Sequence, residues 1–216
     1  MRGRASRPTT HRVGLGDGKR AEGELTLGRV RRALEGSLAA APVEPEGKAA
    51  AVAAILRHAG DHPEVLFIKR SEREGDPWSG HMAFPGGRRE DRDPHLLATA
   101  LRETVEEIGL DLERHGELVG VLEDEDAGGR GAKGALPIRP YVFELRDEVS
   151  LRFSHEVSEA LWAPLPELYG GARASSITVP YKGQSYTLPA WDVEGRIVWG
   201  LTYRMMNKLF ELVRAR

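Results

Sequence analysis

The chain has 216 residues, no cysteine, 30% charged residues and a formal net charge of −2 at pH 7. That length fills one well-buried core and is short for two, so it predicts a single domain with extensions. A near-neutral balance gives no overall basic field and argues against nucleic acid as a partner, and the missing cysteines exclude a disulfide framework, a thiolate nucleophile and a Cys-based zinc site.

In chain order, residues 1–24 are rich in arginine and glycine and contain no apolar run of signal-peptide length. They read as a flexible N-terminal arm, with residues 25–216 as the folded domain. No stretch approaches the ~20 apolar residues of a membrane helix, so the expectation is a cytoplasmic protein with no membrane partner. Leu25, Leu27, Val30, Leu34 and Leu38 recur at helical spacing and predict an amphipathic helix, closed by Pro42-Val43-Glu44-Pro45. Residues 49–57 and 65–69, joined through Gly60-Asp61-His62-Pro63, read as a strand hairpin. The stretch 75–87 reads as loop, followed by a helix from about 95 to 107, a strand at 118–122, a mobile glycine-rich loop at 127–134 and a strand at 138–145. Residues 157–162 form a further short element, and Pro164-Leu165-Pro166 opens a helix or turn at 167–169. Runs at 181–188 and 196–199 read as strands before a last helix from about 202 to 214. The apolar side of that helix is compatible with a homodimer, and Trp191, Trp199, Tyr203 and Phe210 read as core or dimer-interface residues. Strands interleaved with helices of this length predict an α/β fold.

The most informative stretch is Arg102, Glu103, Glu106, Glu107 and Gly109, beginning fifteen residues after the second glycine of the Phe84-Pro85-Gly86-Gly87 turn. At 100° per residue, Leu97, Leu101, Thr104 and Ile108 share one stripe, and the three glutamates gather on the side facing away from it. Clustered carboxylates suit Mg²⁺ or Mn²⁺, which take hard oxygen ligands, and such cations neutralise phosphate oxygens and acidify an attacking water. The paired glycines allow main-chain groups to come close to a metal or phosphate.

With these residues the chain resembles the Nudix hydrolases, whose box runs Gly, five residues, Glu, seven residues, then Arg-Glu-x-x-Glu-Glu-x-Gly and an apolar residue. Gly87 opens the box and Arg102-Glu103-Thr104-Val105-Glu106-Glu107-Ile108-Gly109-Leu110 closes it. Asp93 replaces the first glutamate, and eight residues rather than seven separate it from Arg102. The resemblance implies a mixed sheet sandwiched between helices over roughly residues 48–213, and hydrolysis of a diphosphate in a small nucleotide substrate. It further implies Glu103, Glu106 and Glu107 as ligands to Mg²⁺ or Mn²⁺, Glu103 doubling as a water-activating base, and Arg102 bracing the loop against the helix through Asp93 or Glu90. A downstream carboxylate joins the site in some members. Here Glu156 and the run Glu123-Asp124-Glu125-Asp126 are the candidates, although the run reads more simply as solvated loop.

Leu66-Phe67-Ile68-Lys69-Arg70-Ser71 and the segment from Gly80 to Gly87 are similar to an upstream motif of the coenzyme A pyrophosphatase-like branch, departing from it at Gly75 and by one extra spacer residue. This implies coenzyme A or its acyl derivatives as leading substrate. Arg70 and Arg73 are candidate phosphate grips, since a guanidinium fork matches phosphate oxygens. Trp78 is a candidate base-stacking residue, and His81 reads as a loop hydrogen-bonder. Other readings stay open: a different nucleotide substrate (ADP-ribose, NADH, a dinucleoside polyphosphate, a nucleoside triphosphate or capped RNA), or a non-hydrolytic nucleotide-binding module.

Overall fold

A computed structural model of the chain describes residues 9–11, 25–74, 78–127, 136–181 and 183–216. The expected arm lies outside the described residues except for β1 (Thr9–His11), and so do residues 128–135 of the glycine-rich loop.

The centre is β2 (Ala50–Ala59), a nearly continuous apolar run buried on both faces, as expected for a strand with layers above and below. It pairs antiparallel with β3 (His62–Arg70) on one side and in parallel with β8 (Pro137–Leu145) on the other, from Ala50↔Ile138 to Leu56↔Glu144. β4 (Met82–Ala83), β3, β2, β8 and β6 (Gly116–Val121) lie in that order. β5 (Gly86–Arg88), β7 (Glu125–Asp126) and β9 (Val157–Pro164) attach to β2, β8 and β3 respectively. Alternation along β2 sends Ala51, Ala53 and Ile55 into a cluster with α2 (Leu96–Ile108) and α3 (Leu112–His115), and Ala50, Ala54 and Leu56 into another with α1 (Leu27–Leu34), α4 (Leu165–Tyr169) and α5 (Gly200–Arg214). A second sheet follows the order β1, β10 (Ala174–Tyr181), β11 (Gln184–Val193) and β12 (Arg196–Trp199), all antiparallel. The architecture is a mixed sheet between helical layers with a smaller sheet beside it.

Three differences from the sequence expectation have local causes. The first helix ends at Leu34, because the chain turns at Gly36 (φ 80°) and leaves Leu38 44% exposed. The stretch 75–87 contains β4 and the start of β5, too short to show alternation, and the strand expected at 181–188 is β11, preceded by its antiparallel partner β10. The apolar side of α5 is used within the chain, where Met206, Leu209 and Phe210 are buried against the sheet and α1, so it is not a free surface for a second copy. No helix among the described residues is long and apolar enough to cross a membrane.

Candidate active site at the glycine turn and box helix

α2 starts where the His95 ring accepts from the Ala98 N–H at 3.0 Å and Glu44 accepts from the Leu96 N–H at 3.2 Å, satisfying two of the helix's open donors. It stops at Gly109, in the left-handed region at φ 66°. Its buried residues are Leu96, Thr99, Ala100, Thr104, Glu107 and Ile108. The packed face is therefore turned from the one read in the sequence: Leu97 and Leu101 are half-buried, and Glu107, expected to face away, points inward.

The cause is the glycine turn. A Cβ on Gly86, whose φ is 151°, would lie 2.3 Å from the Ala51 carbonyl oxygen, so only glycine lets the chain run this close to β2. From there the Gly86 N–H donates to Glu107 Oε2 at 2.9 Å. A Cβ on Gly87 would meet the Glu103 carboxylate at 2.5 Å. The turn thus sets bare backbone against two carboxylates. Burial pushes the Glu107 carboxyl up to about 7; the Gly86 hydrogen bond opposes that shift and the charge of Glu103 adds to it. Burial also raises the Glu103 carboxyl, against the pull of Arg102.

Arg102 holds the other side of the helix. Its Nε and Nη2 fork onto Asp93 at 2.9 and 2.8 Å, Nη1 donates to Glu103 at 2.8 Å and to Glu106 at 3.0 Å, and Nη2 also reaches the Arg88 carbonyl at 3.0 Å. Asp93 accepts in addition from the Glu90 N–H at 2.9 Å and Thr99 Oγ1 at 3.0 Å. With the Arg102 guanidinium as the main cause, the Asp93 carboxyl lies well below the usual carboxylate range. The shorter acid and the added loop residue are thereby accommodated, because the loop brings Asp93 down onto the guanidinium and bonds both its oxygens.

Of the remaining candidates, Arg70 brings Nη1 to 3.9 Å from Glu107 Oε1. Arg73 pairs instead with Glu156 at 2.9 Å, and its N–H donates to Ser79 Oγ at 2.8 Å. Glu156 belongs to this neighbourhood: its carbonyl accepts from the Ser71 N–H at 2.7 Å, and its charge adds to the upward shift of both Glu103 and Glu107. Trp78 is 38% exposed on the loop beyond Arg73. The run 123–126 is not the solvated loop that its composition suggests: Asp124 takes both ends of Arg139 at 2.8 and 3.0 Å, and Glu125 pairs with Arg204 and Lys208, each at 2.9 Å. Arg139, 1% exposed, is the residue sequence reasoning missed. Its signal is a lone cation inside an apolar strand, and it also binds Glu44 at 3.2 Å, the carboxylate at the start of α2. A broad depression of about 560 Å³ lies on the opposite flank of α2, lined by His95, Leu101 and Val105 among others, and includes neither Glu103 nor Glu107.

Among the described residues no three acidic or imidazole side chains are gathered as a metal cage; Glu106, 47% exposed, is drawn outward to Arg92 and Arg102. The donor set nonetheless fits a divalent cation. Glu103 and Glu107 supply hard oxygens on either side of the glycine turn, each opposed in its ionised form by burial, and Mg²⁺ requires only one or two carboxylates, with waters completing the shell.

Comparison with known proteins matches the NUDIX domain model over residues 47–180. Human mitochondrial coenzyme A diphosphatase NUDT8 is 36% identical over 187 residues, covering 84% of this chain and 74% of that protein. The Schizosaccharomyces pombe protein C14C4.10c is 44% identical over 109 residues, 49% of this chain, and the chain spans only 33% of that relative's length. The NUDIX domain of Shewanella oneidensis NrtR, solved with ADP ribose, superposes with a TM-score of 0.47 at 16% identity, covering 82% of this chain and 91% of that one. A domain match spanning more than half the chain and containing the glycine turn and its glutamate helix means that the chain belongs to the Nudix family of hydrolases and has relatives in its coenzyme A diphosphatase-like branch.

Proposed function

We propose that the protein hydrolyses the diphosphate of coenzyme A or an acyl-coenzyme A, giving 3′,5′-ADP and the (acyl-)4′-phosphopantetheine, with Mg²⁺ or Mn²⁺ held by Glu103, Glu106 and Glu107. The observation that carries the reading is the pair of carboxylates packed on bare glycine backbone: Gly86 N–H on Glu107 at 2.9 Å, and Gly87 with no room for a side chain beside Glu103. Held there, a divalent cation would supply charge to neutralise the phosphate oxygens and acidify the attacking water. The protein's own residues do the rest. Gly86 orients Glu107, Arg102 orients Glu103 and Glu106 from the Asp93 side, and Arg70 offers a guanidinium beside Glu107 to a substrate phosphate. Glu103, half-screened beside the turn, is the candidate proton acceptor.

Two features support coenzyme A as substrate: the 66–71 and 80–87 segments, and the similarity to a protein named as a coenzyme A diphosphatase. The test is to incubate the purified protein and Mg²⁺, or Mn²⁺, with coenzyme A, ADP-ribose, NADH, a diadenosine polyphosphate and the nucleoside triphosphates, identifying products by mass spectrometry. Release of 4′-phosphopantetheine and 3′,5′-ADP, absent for Glu106→Gln, is expected. Cleavage of a different member alone retains the chemistry and discards the substrate, and no cleavage of any member overturns the proposal.

A further inference from the structure

The two C-terminal tryptophans have different surroundings. Trp191 is 3% exposed, its ring 4.4 Å from Tyr203 and 5.9 Å from Phe210, which makes it a core residue. Trp199, at the end of β12, is half-buried and belongs to neither hydrophobic cluster of the described residues. Its side chain makes no hydrogen bond that caps α5, although α5 begins at the next residue. Its ring instead lies against His81, centroids 4.8 Å apart and planes at 58°.

His81 ties this pair to the carboxylate site. Its N–H donates to the Trp78 carbonyl at 3.2 Å and its carbonyl accepts from the Arg70 N–H at 3.1 Å. Arg70 in turn has its guanidinium 3.9 Å from Glu107. From the other direction, Thr202 Oγ1 donates to the Met82 carbonyl at 3.2 Å, fixing the start of α5 to β4. A large aromatic surface outside both hydrophobic clusters therefore lies between the end of β12 and the start of β4, against His81, whose main chain is bonded to the arginine beside the diphosphate site.

Resting on the diphosphatase reading above, we infer that Trp199, backed by His81, is the stacking platform for the base at the nucleoside end of the substrate. A diphosphate held through a cation at Glu103 and Glu107 fixes only the centre of the molecule, and a π-face to one side would distinguish a nucleotide from a bare diphosphate. An indole supplies a large, rigid face, and its tilted contact with the imidazole keeps it from turning. Trp199 is a specificity residue: it does not reach the bond that is cleaved.

Stacking of one base on one aromatic side chain is worth roughly 5- to 150-fold in affinity. Calorimetric titration of the Mg²⁺-loaded protein with ADP and with inorganic pyrophosphate separates the base from the diphosphate. Trp199→Ala is expected to weaken ADP about tenfold and leave pyrophosphate unchanged, Trp199→Phe to retain ADP within about twofold, and His81→Ala to weaken ADP about threefold with β12 undisturbed. On a cleaved nucleotide, Trp199→Ala raises KM and leaves kcat unchanged. Equal loss of ADP and pyrophosphate, or unchanged ADP binding in both Trp199→Ala and His81→Ala, overturns the assignment. Absence of turnover in the wild type counts against the hydrolase reading alone, because the two titrations read the platform directly.

Discussion

Replacing Glu107 by Gln is expected to make the metal-free protein more stable while destroying its activity. In the fold the carboxyl titrates at about 7 against an ordinary 4.5, chiefly because it is buried. Below pH 4.5 it is neutral in both folded and unfolded chains. Between 4.5 and 7 the unfolded chain has released the proton and the folded chain retains it, so stability falls as pH rises and the loss is complete above 7. At about 1.4 kcal/mol per pH unit, the penalty for the ionised carboxylate is about 3 kcal/mol. Gln keeps the shape and an oxygen to accept from Gly86, and it has no charge to bury. In EDTA at pH 8 the variant should therefore melt about 6–12 °C above the wild type, at ~2–4 °C per kcal/mol for a chain of this size, and the gap should shrink towards pH 5. Added Mn²⁺ should raise the wild-type melting temperature at pH 8, as a ligand of the folded state does, and leave the variant where it was. Scanning calorimetry at four pH values between 5 and 8 reads both effects. Melting curves of wild type and variant that stay parallel across that range would refute the buried, charge-opposed carboxylate.

The two glycines of the turn should separate stability from activity. Gly86→Ala drives a Cβ to 2.3 Å from the Ala51 carbonyl oxygen and 2.6 Å from Val52 Cα, both main-chain atoms, and should cost more than about 3 kcal/mol in urea unfolding. Gly87→Ala meets only the movable end of Glu103, so turnover should fall at least about a hundredfold with stability within about 1 kcal/mol of wild type. Asp93→Ala leaves the half-buried Arg102 without its fork and should cost about 3 kcal/mol at pH 7. Because the Asp93 carboxyl is held low, that contribution is present above pH 4 and lost as pH falls further, so the urea midpoints of Asp93→Ala and wild type should converge towards pH 2. Arg139→Met frees Asp124 and Glu44, both partly solvated, and should cost about 2 kcal/mol. Arg139→Lys should not restore the loss, since one ammonium cannot replace the guanidinium fork on Asp124, and urea unfolding of both variants reads the difference.

How much of this was legible in the sequence depends on whether local spacing or distant contact decides the feature. The box helix was readable because Arg102, Glu103, Glu106, Glu107 and Gly109 lie within eight residues, where the 3.6-residue period sets their relative positions. The strand β2 was readable from its nearly continuous apolar run, although its burial on both faces was not. The resemblance implied Asp93 or Glu90 as the partner of Arg102, and the structure places the guanidinium fork on Asp93. The rotation of the helix was not readable. Leu97 and Leu101 are as apolar as Leu96, and only the approach of Gly86 to β2, with its N–H on Glu107, turns a glutamate inward in place of a leucine. Nor could composition reveal that the acidic run 123–126 anchors a buried arginine and the C-terminal helix, because Arg139 is brought to it by strand pairing and Arg204 and Lys208 by the packing of α5. Residue types and their local periods determined which groups exist and which chemistry they can run. Tertiary structure alone decided which carboxylates lose their water and which aromatics stay outside the core, since desolvation and ring contact depend on what the rest of the chain packs against each group.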